Sequence, residues 1–361
     1  METVKRLHFH KPTISGWLSA ALASLLLLTG CGARDGEGKA EEPRTRTVFA
    51  MDTVMDLTVY GGSEDLMREA EELILTLESE LSVTDPASEI FAVNGAGEGS
   101  VGPDTAEVLS AALELSERTD GLLDCTVYPV LRAWGFTTGD YRIPSEEELD
   151  ALLPLVDWRR VSLGDGRVTL GPGQMLDLGA VAKGYTGDRL LALFREAGVT
   201  SALVNLGGNV QALGTKPDGS LWRVAVADPM GNGYAGVLET ADRAVITSGG
   251  YERYFERDGR IYRHILDPDT GIPADNGLIS VTVVGERGVV CDGLSTALFV
   301  MGEQRAADFW RDSDDFGMIL LTEDGRILLT EGLEASFTPA GDWTDALLTV
   351  IGRESGRGGA P

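Results

Sequence analysis

Hydrophobic residues recur every three or four positions early in this chain of 361 residues, which is the period of an amphipathic helix. The first such run follows Ser63, a residue type that commonly caps the N-terminus of a helix. Its apolar positions are Leu66, Ala70, Leu73, Leu77 and Leu81. The preceding stretch, Val48 to Tyr60, reads as a strand pair or a kinked strand, and the following stretch, residues 81–94, has no regular period.

Residues typical of helix ends mark two further helices. Asp104 with Glu107 resembles a capping box for a helix that reaches about Thr119. Ser145 with Glu148 begins a short helix that a proline ends.

Short β-rich runs replace this pattern after about residue 155. Ser201–Val204 and Leu278–Val284 are predicted strands. Asp-Gly pairs predict hairpin turns. These pairs lie at residues 165–166, 218–219, 258–259 and 324–325. Helices mixed with hairpins, without strict βαβ alternation, predict an α+β fold with mixed or antiparallel sheets.

The N-terminus is typical of a lipoprotein signal peptide. Three basic residues precede an apolar run from Trp17 to Leu28, which is too short to span a bilayer with margin. The sequence Leu28-Thr29-Gly30-Cys31 resembles a bacterial lipobox, so Cys31 is the predicted lipidation site. An uncleaved membrane anchor is the alternative.

This pattern predicts four regions and a location. They are a signal peptide with its lipobox at 1–31, a flexible tether at 32–47, one domain at 48–351 and a disordered tail at 352–361. The domain is expected outside the cytoplasm, anchored to the bacterial membrane by lipid. Only Cys125 and Cys291 would remain in it, either as a disulfide or as two buried free thiols.

The formal net charge of −27 excludes nucleic-acid binding, because no basic stripe offsets the repulsion of phosphate. Beyond the signal peptide the lysines are Lys39, Lys183 and Lys216. Only Lys183 lies in an apolar, glycine-rich segment, at the start of a helix predicted from about Gly179 to Ala197. The entry of such a helix favours phosphate, although tight packing explains the glycines equally well.

Two other segments leave their alternatives open. The sequence Asn-Leu-Gly-Gly-Asn at 205–209 follows a strand and forms either a ligand-binding turn or a plain turn. Asp124 follows a predicted helix stop and either accepts hydrogen bonds from a ligand or shapes a turn.

His264 is the candidate general base, because it is the single histidine outside the signal peptide and titrates near neutral pH. A structural histidine is the alternative. Asp292 and Thr296 lie four residues apart, on one face of a predicted helix that opens at Cys291. Their oxygens suit Mg²⁺, while an Asp that caps a core helix is the alternative.

Seven segments in this order resemble the ApbE-type flavin transferases, the FAD:protein FMN transferases, which are often bacterial lipoproteins. The segments are MDTVM at 51–55, SEIFAVN at 88–94, GLLDCTVYPVLRAWGF at 121–136, LDLGAVAKGY at 176–185, VNLGGNV at 204–210, SGGYERYFERDGRIYRHILDPDTGIP at 248–273 and CDGLSTALFVMG at 291–302. The chain departs from the family pattern at Asp52, where glycine is common, and at Thr84, where an aromatic residue usually stacks on flavin.

The resemblance implies a set of site residues. His264 would act as base toward the acceptor hydroxyl, and Mg²⁺ would be held by Asp292, Thr296 and the carbonyl of Ala180. The residues implied to contact FAD are Met51, Leu122, Leu123, Asp124, Asp177, Lys183, Ile265 and Ser295.

The implied reaction is Mg²⁺-dependent transfer of the FMN part of FAD to a Ser or Thr hydroxyl of a partner protein, with release of AMP. The implied partners are flavoprotein subunits of extracytoplasmic or membrane redox systems. An FAD pyrophosphatase that yields FMN and AMP, and a non-catalytic FAD-binding lipoprotein, are the two alternatives.

Overall fold

The computed structural model describes residues 42–231 and 233–353. The α-helices in these ranges are α1 (Glu64–Leu81), α2 (Glu89–Ala96), α3 (Pro103–Arg118), α4 (Tyr128–Trp134), α5 (Glu146–Leu152), α6 (Gly179–Glu196) and α7 (Gly288–Arg311). No helix within them is long and apolar enough to cross a membrane. The predicted signal peptide, Cys31, residues 32–41 of the predicted tether and residues 354–361 of the predicted tail lie outside the described residues.

The strands form one large sheet and three small ones. They are β1 (Arg44–Ala50), β2 (Thr53–Tyr60), β3 (Glu98–Ser100), β4 (Ser162–Gly164), β5 (Arg167–Thr169), β6 (Ser201–Leu206), β7 (Asn209–Leu213), β8 (Trp222–Ala227), β9 (Tyr234–Thr240), β10 (Ala244–Gly249), β11 (Tyr254–Arg257), β12 (Arg260–Arg263), β13 (Leu278–Gly285), β14 (Phe316–Thr322), β15 (Arg326–Thr330), β16 (Phe337–Pro339) and β17 (Leu347–Ile351). The order in the large sheet is β1-β2-β6-β7-β10-β13-β14-β15-β17.

Every neighbouring pair in the large sheet is antiparallel except β15 and β17. Strand β13 lies inside this sheet, and all eight of its residues are buried. Helices α6 and α7 lie against the sheet, and α3 contacts both of them. The predicted α+β fold with mixed sheets is confirmed.

Local sequence rules located several elements correctly. The Ser63 hydroxyl accepts from the N–H of Leu66 at 3.0 Å, and the Ser145 hydroxyl accepts from the N–H of Glu148 at 3.1 Å. Helix α6 ends one residue before its predicted end. Asp-Gly pairs connect β4 to β5, β11 to β12 and β14 to β15 as predicted.

The fourth Asp-Gly prediction is wrong, because residues 218–219 lie between β7 and β8, which belong to different sheets. The tether prediction is also wrong for its last residues. Arg44 to Thr47 form the first half of β1 and pair with β2, and the Arg46 side chain forms ion pairs with Glu64 and Glu71.

Three helix starts differ from their predictions. Residues 81–94 are not irregular throughout, because Ser88 caps α2 by accepting from the N–H of Ile90 at 3.1 Å. The capping box at Asp104 is wrong, since α3 begins at Pro103 and the N-cap residue Gly102 has no side chain to cap it. Helix α7 begins at Gly288 and not at Cys291.

The aspartate that caps α7 is Asp188 on α6. Its carboxylate oxygens accept from the N–H groups of Gly288 at 2.6 Å and Val289 at 2.9 Å. Asp292 lies one turn further on, so the alternative that Asp292 is the N-cap of this helix is wrong. Cys125 and Cys291 are both buried free thiols, and the disulfide alternative is excluded.

Candidate active site

One cavity of about 420 Å³ collects residues that lie far apart in the sequence. The turn between β1 and β2, the start of α6, the end of β10 and the second turn of α7 all contribute to its wall. Eleven of the predicted site residues line it. They are Met51, Leu122, Leu123, Asp124, Asp177, Ala180, Lys183, His264, Ile265, Asp292 and Thr296.

Helices α6 and α7 approach so closely at this cavity that glycine is required at their contact. A Cβ atom at Gly184 would overlap the carbonyl oxygen of Gly288 and come within 2.7 Å of Asp292 Cβ. The close approach brings the backbone of α6 to the Asp292 carboxylate, whose Oδ2 accepts from the N–H of Gly184 at 2.8 Å. The helix crossing therefore positions the carboxylate.

We expect Gly184→Ala to lower the free energy of unfolding by about 1–3 kcal/mol, the usual cost of forcing an extra carbon into a packed core. Urea titration followed by circular dichroism measures this change. Gly95→Ala is the matched control, because a Cβ atom there meets nothing within 4 Å and alanine is the better helix former, by roughly 0.5–1 kcal/mol. Equal stability of the two variants would contradict a tight contact at Gly184.

The oxygens implied to hold Mg²⁺ lie together in this cavity. Asp292 is 4% exposed, and burial raises the pKa of its carboxyl, while Lys183 opposes that shift. In a regular helix the N–H of Gly184 would donate to the carbonyl of Ala180. Here the Gly184 N–H donates to Asp292, so the Ala180 carbonyl can accept another hydrogen bond or bind a cation. A carboxylate, a carbonyl and a hydroxyl are a donor set that suits Mg²⁺.

A chain of hydroxyl groups orients the third oxygen, that of Thr296. Ser295 Oγ donates to the carbonyl of Asp292 at 2.7 Å, so Ser248, 2.7 Å away, must donate to Ser295. Thr296 Oγ1 lies 3.1 Å from Ser248 Oγ and is then the donor of that pair. Its lone pairs remain free for a cation, and the three oxygens therefore fit the ion.

Ser295 does not line the cavity, unlike the other predicted contacts. It is completely buried, and its hydroxyl takes part in the chain just described. In the described ranges no three His, Cys, Asp or Glu side chains cluster to hold a metal. A magnesium site here therefore depends on backbone and hydroxyl oxygens as well as on Asp292.

Lys183 lies one turn into α6 and brings a positive charge into the cavity. Asp177 precedes the helix, and its Oδ1 accepts from the N–H of Gly179 at 2.7 Å. Burial raises the pKa of Asp177, and the charges of Arg253 and Lys183 oppose this effect. The helix entry thus presents a cation and a carboxylate side by side.

Asp124 is buried at the cavity wall, and its carboxylate is already engaged by the protein. Oδ1 accepts from the N–H of Thr126 at 2.7 Å and from its hydroxyl at 2.6 Å, while Oδ2 accepts from the N–H of Trp158 at 3.0 Å. These bonds support the alternative that Asp124 shapes a turn. One lone pair of Oδ2 is left to accept from a ligand.

His264 follows β12 and lines the cavity. Its Nδ1 lies 3.1 Å from the carbonyl oxygen of Arg253. A carbonyl only accepts hydrogen bonds, so Nδ1 carries the proton and Nε2 of the neutral ring is an unprotonated base. Burial lowers the pKa of His264 to about 4. The positive charges of Arg253 and Lys183 lower this pKa further, and the hydrogen bond to the Arg253 carbonyl opposes the shift.

This environment predicts that His264 stays neutral well below the pH at which an ordinary histidine is protonated, about 6.5. In an NMR titration of histidine-labelled protein, we expect its ring signals to shift with a midpoint near pH 4. His264→Gln assigns the signal by removing it. A midpoint at 6 or above would show that burial and the two cations do not act on the ring.

An aromatic cluster at the β11–β12 hairpin packs against His264, and it could not be predicted from the sequence. Phe255 stacks on Tyr262 at 5.0 Å and on Tyr141 at 5.2 Å between ring centroids. Phe136 contacts the His264 ring edge to face at 6.4 Å. Because these rings come from three segments, their contact appears only in the folded chain.

Several further cavity residues were missed as site residues, among them Ser248, Glu252 and Asn209. Glu252 is exposed as a residue, but desolvation at the cavity wall raises the pKa of its carboxyl, with Lys183 opposing and Asp292 adding to the shift. The 205–209 segment contains the turn between β6 and β7, which agrees with the alternative that it forms a plain turn. Its last residue, Asn209, nevertheless reaches the cavity.

Fold and site together define an α+β protein that holds an unprotonated imidazole, a lysine and magnesium-type oxygens in one cavity. The chain belongs to the ApbE family, whose model matches residues 51–320. It is 32% identical to the FAD:protein FMN transferase of Vibrio cholerae, over 90% of this chain and 98% of that protein. The Treponema pallidum FAD:protein FMN transferase is 31% identical over 85% and 92%.

Solved structures agree with this assignment. The ApbE protein of Thermotoga maritima superposes with a TM-score of 0.76 and 32% identity, over 82% of this chain and 99% of that one. The flavin transferase ApbE of Vibrio cholerae superposes with a TM-score of 0.73 and 27% identity, over the same shares. The family resemblance inferred from the sequence is confirmed.

Proposed function

We propose that this protein transfers the FMN part of FAD to a Ser or Thr hydroxyl of a partner flavoprotein. The hydroxyl oxygen attacks the phosphorus on the FMN side of the pyrophosphate and forms a phosphoester bond. The bond from that phosphorus to the AMP oxygen breaks, and AMP leaves. His264 Nε2 takes the hydroxyl proton.

One observation carries this proposal: a single cavity holds both an imidazole with a free Nε2 and a set of oxygens suited to Mg²⁺. Phosphoryl transfer needs positioning and charge neutralisation more than covalent help from the protein. Lys183 supplies one positive charge, and the family relatives described above carry this activity in their names. A low pKa keeps the base free at neutral pH.

Mg²⁺ is part of the proposal. When bound by Asp292, Thr296 and the carbonyl of Ala180, it would neutralise charge on the pyrophosphate. The acidic character of the cavity makes such a cation necessary. Its wall contains Asp52, Glu78, Asp124, Asp177, Glu252 and Asp292 against Lys183 and Arg253.

The experiment uses the purified protein with FAD, Mg²⁺ and a candidate acceptor domain, and follows AMP and the acceptor mass together. AMP with an FMN-sized gain in acceptor mass, both lost when Mg²⁺ is chelated, is the expected result. AMP with an unmodified acceptor would favour an FAD pyrophosphatase, in which water replaces the hydroxyl. FAD binding without AMP would favour a carrier and refute the proposal.

We also propose that Cys31 is lipidated and that the protein acts outside the cytoplasm, on flavoprotein subunits of extracytoplasmic or membrane redox systems. The lipobox-like Leu28-Thr29-Gly30-Cys31 and the apolar run before it support this location. Labelling cells with a fatty acid analogue should mark the wild-type protein and not Cys31→Ser. A label that persists in Cys31→Ser would exclude Cys31 as the lipid site.

A further inference from the structure

Asn209 carries a buried side-chain amide. The residue is 3% exposed and lines the candidate active site. Among the residues that the structure describes, none accepts a hydrogen bond from its Nδ2. An unpaired buried donor costs about 1–3 kcal/mol, so such a group in a native protein calls for a partner. A ligand in the cavity is the natural candidate.

The turn that precedes Asn209 fixes its position. Gly207 and Gly208 form the two-residue loop between β6 and β7, with Leu206 paired to Asn209. Asn205 stabilises this loop, because its Oδ1 accepts from the N–H of Gly208 at 2.9 Å. The two asparagines of the segment thus differ: Asn205 shapes the turn, while Asn209 faces the cavity.

The surroundings of Nδ2 indicate what it binds. Asn209 lies near Asp292 in the cavity wall, yet its Nδ2 forms no hydrogen bond of acceptable geometry with any described residue. Carboxylates dominate the cavity wall, and Lys183 and Arg253 are its two cations. Among the described residues that line this cavity, Asn209 has the one side-chain carboxamide, a neutral donor in the same cavity as the magnesium-type oxygens.

We propose that Asn209 is a binding residue whose Nδ2 donates to a non-bridging oxygen of the FAD pyrophosphate. This inference rests on the proposed function, since it takes FAD as the ligand. It adds a contact to the phosphates, and none to the flavin ring. The amide stays neutral, so the contact holds the phosphate without competing with Mg²⁺ for charge.

The test compares Asn209→Leu, Asn209→Asp and the wild type in binding FAD and riboflavin at saturating Mg²⁺, followed by flavin fluorescence. We expect both variants to weaken FAD binding by about tenfold to a hundredfold, the usual loss for a hydrogen bond to a charged group. Riboflavin, which has no phosphate, should bind equally to all three. Asn205→Asp is the matched control, since it adds the same charge outside the cavity and still accepts from Gly208.

Thermal unfolding supplies a second readout. Without ligand, Asn209→Leu should melt at or above the wild-type temperature, because it removes an unpaired buried donor, and FAD should raise its melting temperature less. An unchanged FAD dissociation constant in Asn209→Leu would overturn the inference. A second outcome would also overturn it: Asn209→Leu binds Mg²⁺ more weakly in the absence of flavin but binds FAD normally at saturating Mg²⁺. Asn209 would then act through Asp292 and not through the phosphate.

The two proposals fail in different ways. If the wild type binds FAD more tightly than both Asn209 variants but modifies no acceptor, the transferase is refuted and the role of Asn209 is not. A wild type that transfers FMN while Asn209→Leu binds FAD normally would refute only the role of Asn209.

Discussion

Replacing His264 with glutamine should slow FMN transfer by about 10²–10⁴-fold, the usual contribution of a general base. Glutamine can still donate to the Arg253 carbonyl through its amide, so the local backbone should be preserved. It has no basic nitrogen to take the acceptor proton. Single-turnover transfer at saturating FAD, measured from the acceptor mass, tests this, and FAD affinity should change little because the proton transfer occurs at the hydroxyl.

Tyr262→Phe is the control for the His264 experiment. Tyr262 lies on the same hairpin and packs on Phe255, so this change keeps the aromatic support and removes only a phenol oxygen. We expect near-wild-type transfer from it. A His264→Gln rate within threefold of the wild type would exclude the base role and favour a structural histidine.

Elements governed by neighbouring residues could be predicted from the sequence. Ser63 and Ser145 cap their helices with their own hydroxyls. The Asp258-Gly259 hairpin follows from backbone preference, since both residues adopt positive φ angles of 53° and 75°. These interactions join residues that are close in the sequence, so the residue types and their spacing are enough to predict them.

Elements governed by distant partners could not be predicted. Asp104 and Glu107 have capping-box spacing, but their carboxylates lie 2.6 Å and 2.9 Å from the Tyr185 hydroxyl, which has one proton to donate to either of them. Asp188 caps α7 from a position a hundred residues earlier in the chain. The sequence contains the correct residue types in each case and carries no sign of which partner they bind.

The candidate site divides in the same way. Spacing alone placed Asp292 and Thr296 on one face of a helix, and elimination singled out His264 and Lys183. Their meeting in one cavity depends on the glycine contact between α6 and α7 and on the aromatic cluster at the hairpin. The resemblance to a family supplied that information, and Asn209, which reads as an ordinary turn residue, escaped both approaches.

Asp292→Asn should separate stability from activity. The variant should lose transfer by about 10²–10³-fold, since a catalytic metal contributes several kcal/mol. Without Mg²⁺, however, it should melt about 1–3 °C above the wild type. Burial raises the pKa of Asp292, so above that raised pKa the folded protein holds a carboxylate in a site that disfavours its charge. Asparagine removes that charge and still accepts from Gly184.

The sign of the pKa shift gives this prediction a pH dependence. A raised pKa means that ionised Asp292 destabilises the fold above the unfolded pKa of about 4. The advantage of asparagine should therefore be largest above the folded pKa of Asp292 and shrink as the pH falls through that pKa toward 4. Scanning calorimetry of both proteins across this range measures it. A wild type more stable than the variant at pH 7 without metal would contradict the argument.

Asp188→Asn is the matched control, because burial raises the pKa of this carboxyl too. Its two oxygens accept from the N–H groups of Gly288 and Val289. Asparagine offers one oxygen to two donors, so this variant should melt below the wild type and still gain stability from Mg²⁺. Opposite effects of one chemical change at two buried aspartates would show that Asp292 is maintained for binding a cation, at the expense of stability.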